Sequence, residues 1–132
     1  MAHRDVKLDN VIIKDDLNVA LIDFDLAYKS ENIRAVPAND VTLEGTLGYF
    51  PPELWLVDEL LQANPNLKFD LTKCDIFSFG VLLFQLVTGL SPFEKAVESD
   101  PLYLLMGSGT KQGLDSFWSN LPEECSLSHM QD

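Results

Sequence analysis

A long apolar run is the feature that most restricts how this 132-residue chain can fold. Residues 72–88 are apolar on nearly every side, and Gly89 follows them directly. Thr72 is a suitable N-cap and Gly89 a suitable stop, so the pattern predicts one helix. A helix without a polar face must be covered by other parts of the chain, so we expect it to be the buried axis of the domain.

The same run raises the question of a membrane span. Its continuous part, residues 76–90, is shorter than the about 20 residues that cross a bilayer, and it contains the polar Gln85. Met1 is followed by charged residues and not by the apolar core of a secretory signal. We therefore expect a cytoplasmic protein, with the nucleus as an alternative, and no membrane partner.

The acidic composition argues against two further classes of partner. The net charge is −12, from 9 basic and 21 acidic residues. Nucleic acids and anionic lipids are bound by basic surfaces, so we expect neither to be a partner. Metal ions and cationic partners remain compatible with this charge.

Two short runs rich in β-branched residues, 11–13 and 19–22, flank a polar cluster at residues 14–18. This pattern predicts a β-hairpin. A hairpin returns the chain to its starting point, so Asn10 before the first strand and Asp23 after the second should be neighbours. Their side-chain oxygens are hard ligands suited to Mg²⁺.

The stretch before the hairpin, HRDVKLDN, is densely polar and ends at Asn10. It supplies a carboxylate at Asp5 and a cation at Lys7 beside the predicted metal ligands. Phosphoryl transfer needs a positioned hydroxyl, charge neutralisation and metal-bound phosphates. The stretch therefore predicts phosphoryl-transfer chemistry.

The rest of the chain is predicted to be mainly helical. Residues 29–48 are polar and irregular, which predicts a loop. Prolines at 51 and 52 begin a short helix that extends to about Leu61. Pro101 begins another short helix, and Phe117 is predicted to anchor the last part of the chain.

Four motifs then occur in one order. HRDVKLDN resembles the catalytic loop of protein kinases, and DFDLA, residues 23–27, resembles their Asp-Phe-Gly motif with Asp25 in place of glycine. GTLGYFPPE, residues 45–53, is similar to the segment ending in Ala-Pro-Glu. DIFSFGVLLFQLVTG, residues 75–89, is similar to the central helix of the large lobe.

The resemblance implies an α+β fold that is mainly α. It is that of an incomplete protein-kinase large lobe, with a small β-hairpin at the catalytic loop and a buried central helix. The partial kinase domain is expected over residues 1–118, and residues 119–132 form a polar tail or the start of further large-lobe helices. Asp25 is expected to adopt a backbone conformation that favours glycine, at a cost of about 1–2 kcal/mol.

The resemblance also implies a role for each matching residue. Asp5 accepts the proton of the substrate hydroxyl or orients that hydroxyl. Lys7 steadies the transferring phosphate, and its position two residues after Asp5 is similar to serine/threonine kinases. Asn10 and Asp23 hold Mg²⁺ and, with Lys7, ATP. Thr46 lies near Asp5 and shapes the substrate platform.

Further residues are expected to support this site. Arg4 can pair with a phosphate on the activation loop, for which Thr42 is the candidate phosphosite. Asp75 holds the backbone of the catalytic loop from the central helix, and His3 braces the same loop. Glu53 usually pairs with an arginine in the family, and no downstream arginine matches it.

The implied function is a serine/threonine protein kinase that uses ATP and Mg²⁺, with protein substrates and an activating kinase as partners. No part of the chain matches the glycine-rich phosphate loop of the family, so we expect a fragment or a truncation. The alternative is a truncated pseudokinase that binds a protein partner without catalysis. The 132-residue chain by itself is expected to fold poorly, because its helix and hairpin would expose apolar faces.

Overall fold

Helices outweigh strands in the computed structural model, which describes residues 1–122. Four short strands form two separate sheets: β1 (Val11–Ile13), β2 (Val19–Leu21), β3 (Val36–Pro37) and β4 (Lys68–Phe69). Five α-helices follow one another along the chain: α1 (Pro52–Trp55), α2 (Val57–Ala63), α3 (Leu71–Thr88), α4 (Pro101–Gly107) and α5 (Lys111–Asn120). Three single 3₁₀ turns complete the elements: Leu8–Asn10, Ala38–Asp40 and Leu47–Tyr49. The predicted fold class, α+β and mainly α, is confirmed.

The predicted hairpin is present. Strands β1 and β2 pair antiparallel, with Val11 opposite Leu21 and Ile13 opposite Val19. One step beyond the ladder, the Ile22 N–H donates to the Asn10 carbonyl at 2.9 Å. Asn10 and Asp23 therefore lie at the same end of the hairpin.

The prediction of a wholly irregular loop at residues 29–48 is wrong in part. Strand β3 lies inside it and pairs antiparallel with β4, with Val36 opposite Phe69. A two-residue strand shows no periodicity, and its partner is distant in sequence, so the pattern could not reveal it. The single helix predicted up to Leu61 is also two helices, α1 and α2, which are separated at Leu56 (φ −105°, ψ 12°).

Helix α3 begins slightly earlier than its predicted cap. Its N-cap is Asp70, whose Oδ1 accepts the Thr72 N–H at 3.0 Å, so the assignment of the cap to Thr72 is wrong. A carboxylate satisfies the free N–H groups of a first turn well. The stop at Gly89 is confirmed, because Gly89 has φ 73° and donates its N–H to the Gln85 carbonyl at 2.8 Å.

Helix α3 is central but is buried on one side only. Its buried residues are Leu71, Cys74, Ser78, Val81 and Leu82. Its other apolar side chains are 45–65% exposed: Ile76, Phe79, Leu83, Leu86 and Val87. The expectation that α3 is covered all round is therefore corrected for the described residues, since the packing partners lie on one side. The hairpin likewise exposes apolar side chains, as predicted, with Ile13 72% exposed.

Two core clusters meet at the buried face of α3. The first includes Phe50, Leu54, Leu71 and Cys74, together with Ala2 from the start of the chain. The second includes Tyr49, Val81, Leu82 and Phe93, together with Val6. The polar stretch at the start of the chain is thus packed against α3 from both clusters.

At the end of the described chain, α4 and α5 pack on the far end of α3. Phe117 is 1% exposed, with its ring centroid 5.8 Å from that of Phe84, which confirms Phe117 as an anchor. Of the predicted polar tail, residues 123–132 lie outside the described residues, and the domain boundary at residue 118 stays a prediction.

Helix α3 also bears on the membrane prediction. Its 18 residues have a mean hydropathy of 1.4, long and apolar enough to cross a membrane by length and composition. The argument that the run is too short is therefore wrong, because the helix extends back to Leu71. Core helices of soluble proteins pass the same test, so the absence of a membrane partner stays a prediction.

Replacing Leu82 and Leu86 by alanine, one at a time, separates the two faces of α3. Leu82 is 3% exposed and Leu86 is 61% exposed, although both lie on the same helix. We expect Leu82→Ala to lower the free energy of unfolding of the 132-residue chain by about 2–5 kcal/mol. Leu86→Ala should change it by less than about 0.5 kcal/mol.

Urea denaturation followed by near-UV circular dichroism measures both effects. Equal losses for the two variants would mean that α3 is covered on both faces. The breadth of the same curves tests the expectation that this chain unfolds with low cooperativity.

Candidate active site

The side chain of Asp75 holds the backbone at the start of the polar stretch. Its Oδ2 accepts the His3 N–H at 2.7 Å and its Oδ1 accepts the Arg4 N–H at 2.8 Å. Arg4 has φ 70°, a left-handed conformation that is strained for a residue with a Cβ. The two hydrogen bonds from α3 fix this turn and so determine where Asp5 points.

His3 connects the polar stretch to the second strand. Its Nε2 lies 3.0 Å from the Ile22 carbonyl, and its Nδ1 lies 3.3 Å from the Asp5 N–H. Both contacts are satisfied by a neutral ring that donates from Nε2 and accepts at Nδ1. The Phe24 ring packs edge-on against it, with centroids 4.6 Å apart. His3 is thus placed to brace the loop.

Four of the predicted site residues meet around the carboxylate of Asp5, which is 8% exposed. The Lys7 Nζ lies 2.8 Å from Oδ2, and the Thr46 hydroxyl donates to Oδ1 at 2.8 Å. The Asn10 amide donates to Oδ2 at 3.1 Å. Lys7 also donates to the Thr46 hydroxyl at 2.9 Å, which closes a ring of polar contacts.

These contacts set the charge of the cluster. Burial by itself would raise the pKa of Asp5, but hydrogen bonds from Lys7, Thr46 and Asn10, together with the charge of Lys7, outweigh it. The pKa of Asp5 therefore lies below its usual value. The hydrogen bond to Asp5 raises the pKa of Lys7, although burial opposes it. The pair is ionised at neutral pH.

Asn10 and Asp23 provide oxygens that fit a hard metal ion. The Asn10 nitrogen is occupied by the Asp5 carbonyl at 2.9 Å and by the Asp5 carboxylate, so its oxygen points elsewhere. Asp23 is exposed, and no described residue donates a hydrogen bond to its carboxylate. No group of three His, Cys, Asp or Glu residues in the described part could hold a metal. Two protein oxygens completed by phosphate oxygens are typical of Mg²⁺ sites.

The glycine position of the metal motif carries no backbone strain. Among described residues other than glycine, φ is positive only at Arg4, Leu17 and Asp23. The expected cost of placing Asp25 there is therefore wrong, because its backbone does not need glycine. Asp25 adds a negative charge beside Asp23 without removing that residue.

The structure brings Arg4 and Thr42 together. The Arg4 Nη2 donates to the Thr42 carbonyl at 2.7 Å and to its hydroxyl at 2.8 Å. The same nitrogen lies 3.4 Å from Glu44 Oε2, a partner that the sequence did not reveal. An exposed glutamate in a polar loop carries no signal of its own.

Gly45 allows the downstream loop to approach the site. It has φ 121°, and a Cβ there would lie 2.6 Å from the Arg4 carbonyl and 3.1 Å from the Phe50 ring. Only glycine fits this position without a shift. The motif search included Gly45, but only the contact distances show its role.

A second set of contacts attaches this loop to α3. The Ser78 hydroxyl donates to the Tyr49 carbonyl at 2.8 Å, and the Tyr49 hydroxyl donates to Gln85 Oε1 at 2.5 Å. Sequence reasoning missed these residues, because a hydroxyl on an apolar helix does not identify its partner. They hold the segment that carries Thr46.

Glu53 lies apart from the cluster. Its Oε1 is 4.0 Å from the Cys74 Sγ, and it has no ion pair within residues 1–122. Burial, with the charge of Glu53 as a second cause, raises the pKa of Cys74 to about 12. Cys74 is therefore a packed thiol and not a nucleophile.

The comparisons with known proteins agree with this geometry. A family model described as "protein kinase domain" matches residues 1–126. Receptor-like cytosolic serine/threonine-protein kinase RBK2 of Arabidopsis thaliana is 36% identical over 100 residues, 74% of this chain and 19% of that protein. PTI1-like tyrosine-protein kinase 3 of the same plant is 33% identical over 92 residues, 70% of this chain and 20% of that protein.

A third relative covers more of the chain. Fibroblast growth factor receptor homolog 1 of Drosophila melanogaster is 30% identical over 126 residues, which are 95% of this chain and 15% of that protein. The chain thus spans 20% or less of the length of each of these three relatives. Their names include both serine/threonine and tyrosine kinases.

Gly45→Ala tests the close approach of the two loops. We expect it to destabilise the chain by more than about 1 kcal/mol, because the new Cβ meets a backbone carbonyl and φ is unfavourable. Gly80→Ala is the matched control, since a Cβ there has nothing within 4 Å. Alanine suits the interior of α3, so the control should be stabilised by up to about 1 kcal/mol.

Thermal unfolding of the two variants gives the comparison. If Gly45→Ala were as stable as Gly80→Ala, the loop containing Thr46 would not be held against Arg4.

The Asp5–Lys7 pair should give the site a defined pH window. The folded-state pKa of Asp5 lies below its ordinary 3.8, so its stabilising contribution exists above that value and is lost as pH falls through the folded pKa. The folded-state pKa of Lys7 lies above its ordinary 10.5, so its contribution is complete below that value and is lost as pH rises through the folded pKa.

Lys7→Met removes the ion pair and one hydrogen bond but leaves Asp5 buried. The pKa of Asp5 should then rise, and the acid loss of stability should begin at higher pH and be smaller. Carboxyl ¹³C shifts of Asp5 across the pH range measure this. Lys14→Met, on the exposed turn of the hairpin, is the control, and an unchanged pKa of Asp5 in Lys7→Met would refute the assignment.

Proposed function

Since this chain belongs to the protein kinase family, we propose that it is the catalytic part of a serine/threonine protein kinase, which transfers the γ-phosphate of ATP to protein hydroxyls. The observation that carries the proposal is the ring of contacts joining Asp5, Lys7, Thr46 and Asn10. A carboxylate, a cation and hard metal ligands at one place suit phosphoryl transfer.

Each member of the ring has a role in this reaction. Asp5 orients the substrate hydroxyl and takes its proton as the oxygen attacks phosphorus. Lys7 balances the charge that develops on the transferred phosphoryl group. Its bond to the Thr46 hydroxyl holds it in place before substrate arrives.

The family uses ATP with Mg²⁺, and the residues of this chain fit that pair. Asn10 and Asp23 hold the metal, which would neutralise phosphate charge when bound. Lys7 completes the phosphate contacts. The carboxylate of Asp23 is free for this role among the described residues, and the oxygen of Asn10 is not used by Asp5.

The preference for serine or threonine rests on Lys7. A lysine two residues after Asp5 is similar to serine/threonine kinases, whereas the named relatives include both classes. Protein substrates and an activating kinase are the proposed partners, and the proposed location is the cytoplasm or the nucleus. Thr42 is the proposed phosphosite, supported by its hydroxyl 2.8 Å from Arg4.

A second candidate function is a pseudokinase that binds a protein partner. Asp25 in the glycine position and the exposed apolar side of α3 favour it. Titration calorimetry with MgATP separates the two proposals. Micromolar, Mg²⁺-dependent binding to the full-length protein would count against the pseudokinase.

Asp5→Asn in the full-length protein should lower kcat for transfer to serine or threonine by about 10²–10⁴-fold, because the base and the hydroxyl acceptor are lost. Asp9→Asn is the matched control in the same loop, since Asp9 is exposed and no described residue donates to it. Radiolabelled phosphate transfer to a mixed peptide library measures both. Transfer that survives in Asp5→Asn would refute the role of Asp5.

A further inference from the structure

Arg4 joins the polar stretch to the downstream loop through a resident acid. Its guanidinium contacts two oxygens of Thr42 and lies 3.4 Å from Glu44 Oε2. The Arg4 side chain is only 12% exposed, whereas that of Glu44 is 49% exposed. A nearly buried cation needs a compensating negative charge, and Glu44 supplies it without any modification of the chain.

Arg4 cannot follow the loop if the loop moves. Its backbone is fixed by the hydrogen bond to Asp75 and by its left-handed conformation. Glu44 therefore closes onto a rigid partner, and the chain after it must run where Arg4 holds it. Within two residues that chain passes Gly45, which touches the Arg4 carbonyl, and reaches Thr46, which binds Asp5 and Lys7.

We propose that Glu44 is a built-in counter-ion of Arg4, which holds residues 42–46 in the site-forming position before any phosphorylation. A phosphate on Thr42 would then replace one anion by another at the same guanidinium, instead of ordering a free loop. This regulatory role rests on the proposed kinase function for its meaning, but the ordering itself does not.

The geometry supports an exchange of anions. The contacts of Arg4 all use Nη2, so the other guanidinium N–H groups have no acceptor among the described residues. A phosphate grown from the Thr42 hydroxyl would be within reach of them and could form the paired bonds that arginine favours. Its charge would repel the nearby carboxylate of Glu44, which is exposed enough to swing into water.

The test is hydrogen exchange of residues 42–50 in the unphosphorylated full-length protein. Three amides there have backbone acceptors: Glu44, Tyr49 and Phe50. Glu44→Gln keeps the size of the side chain and removes its charge. We expect exchange of this segment to become about two- to fivefold faster, as for loss of one partly exposed ion pair.

Two further variants make the result specific to charge at Arg4. Glu59→Gln, on the exposed side of α2, should leave the segment unchanged. Thr42→Asp added to Glu44→Gln returns an anion to the guanidinium and should restore protection. Exchange in Glu44→Gln equal to that of the unmodified sequence, or equal loosening by Glu59→Gln, would overturn the proposal. Because no step needs catalysis, a failure here is distinct from a failure of the kinase assignment.

Discussion

The carboxylate of Asp75 accepts the N–H groups of two consecutive residues, His3 and Arg4, and the site depends on this pair of bonds. Hydrogen bonds to a charged acceptor contribute about 1.5–3 kcal/mol each. The left-handed conformation of Arg4 costs about 1–2 kcal/mol. The bonds therefore more than offset the strain, and the chain leaves Arg4 in the one direction that places Asp5 beside Lys7 and Thr46.

Helix α3 supports both sides of the site at once. Asp75 near its start holds the polar stretch, whereas Ser78 and Gln85 further along hold Tyr49 and thereby the loop containing Thr46. Because a helix is rigid over these few turns, the two loops keep a constant separation. Such support from one element places reacting groups before the substrate arrives, which is the main contribution of a protein to phosphoryl transfer.

Charge is distributed unevenly in this acidic chain. Both ion pairs found within residues 1–122 lie in the site, at Arg4–Glu44 and Lys7–Asp5. The two cations thus connect the polar stretch to the loop at 42–46, directly or through the Thr46 hydroxyl. Asp5, kept ionised by its neighbours, orients a hydroxyl more readily than it stores a proton. The same loop contacts carry the proposed regulation, so ordering of the loop and assembly of the site are one event.

Local patterns in the amino-acid order were enough to predict the hairpin, the end of α3 at Gly89 and the grouping of Asn10 with Asp23. Each depends on neighbours close along the chain, where turn chemistry and periodicity act. The motif order likewise predicted the kinase family. The β3–β4 pair, the approach of Gly45 to Arg4 and the Glu44 ion pair join residues distant in sequence. The one-sided burial of α3 also depends on such partners, since composition states how apolar a helix is but not which of its faces is covered.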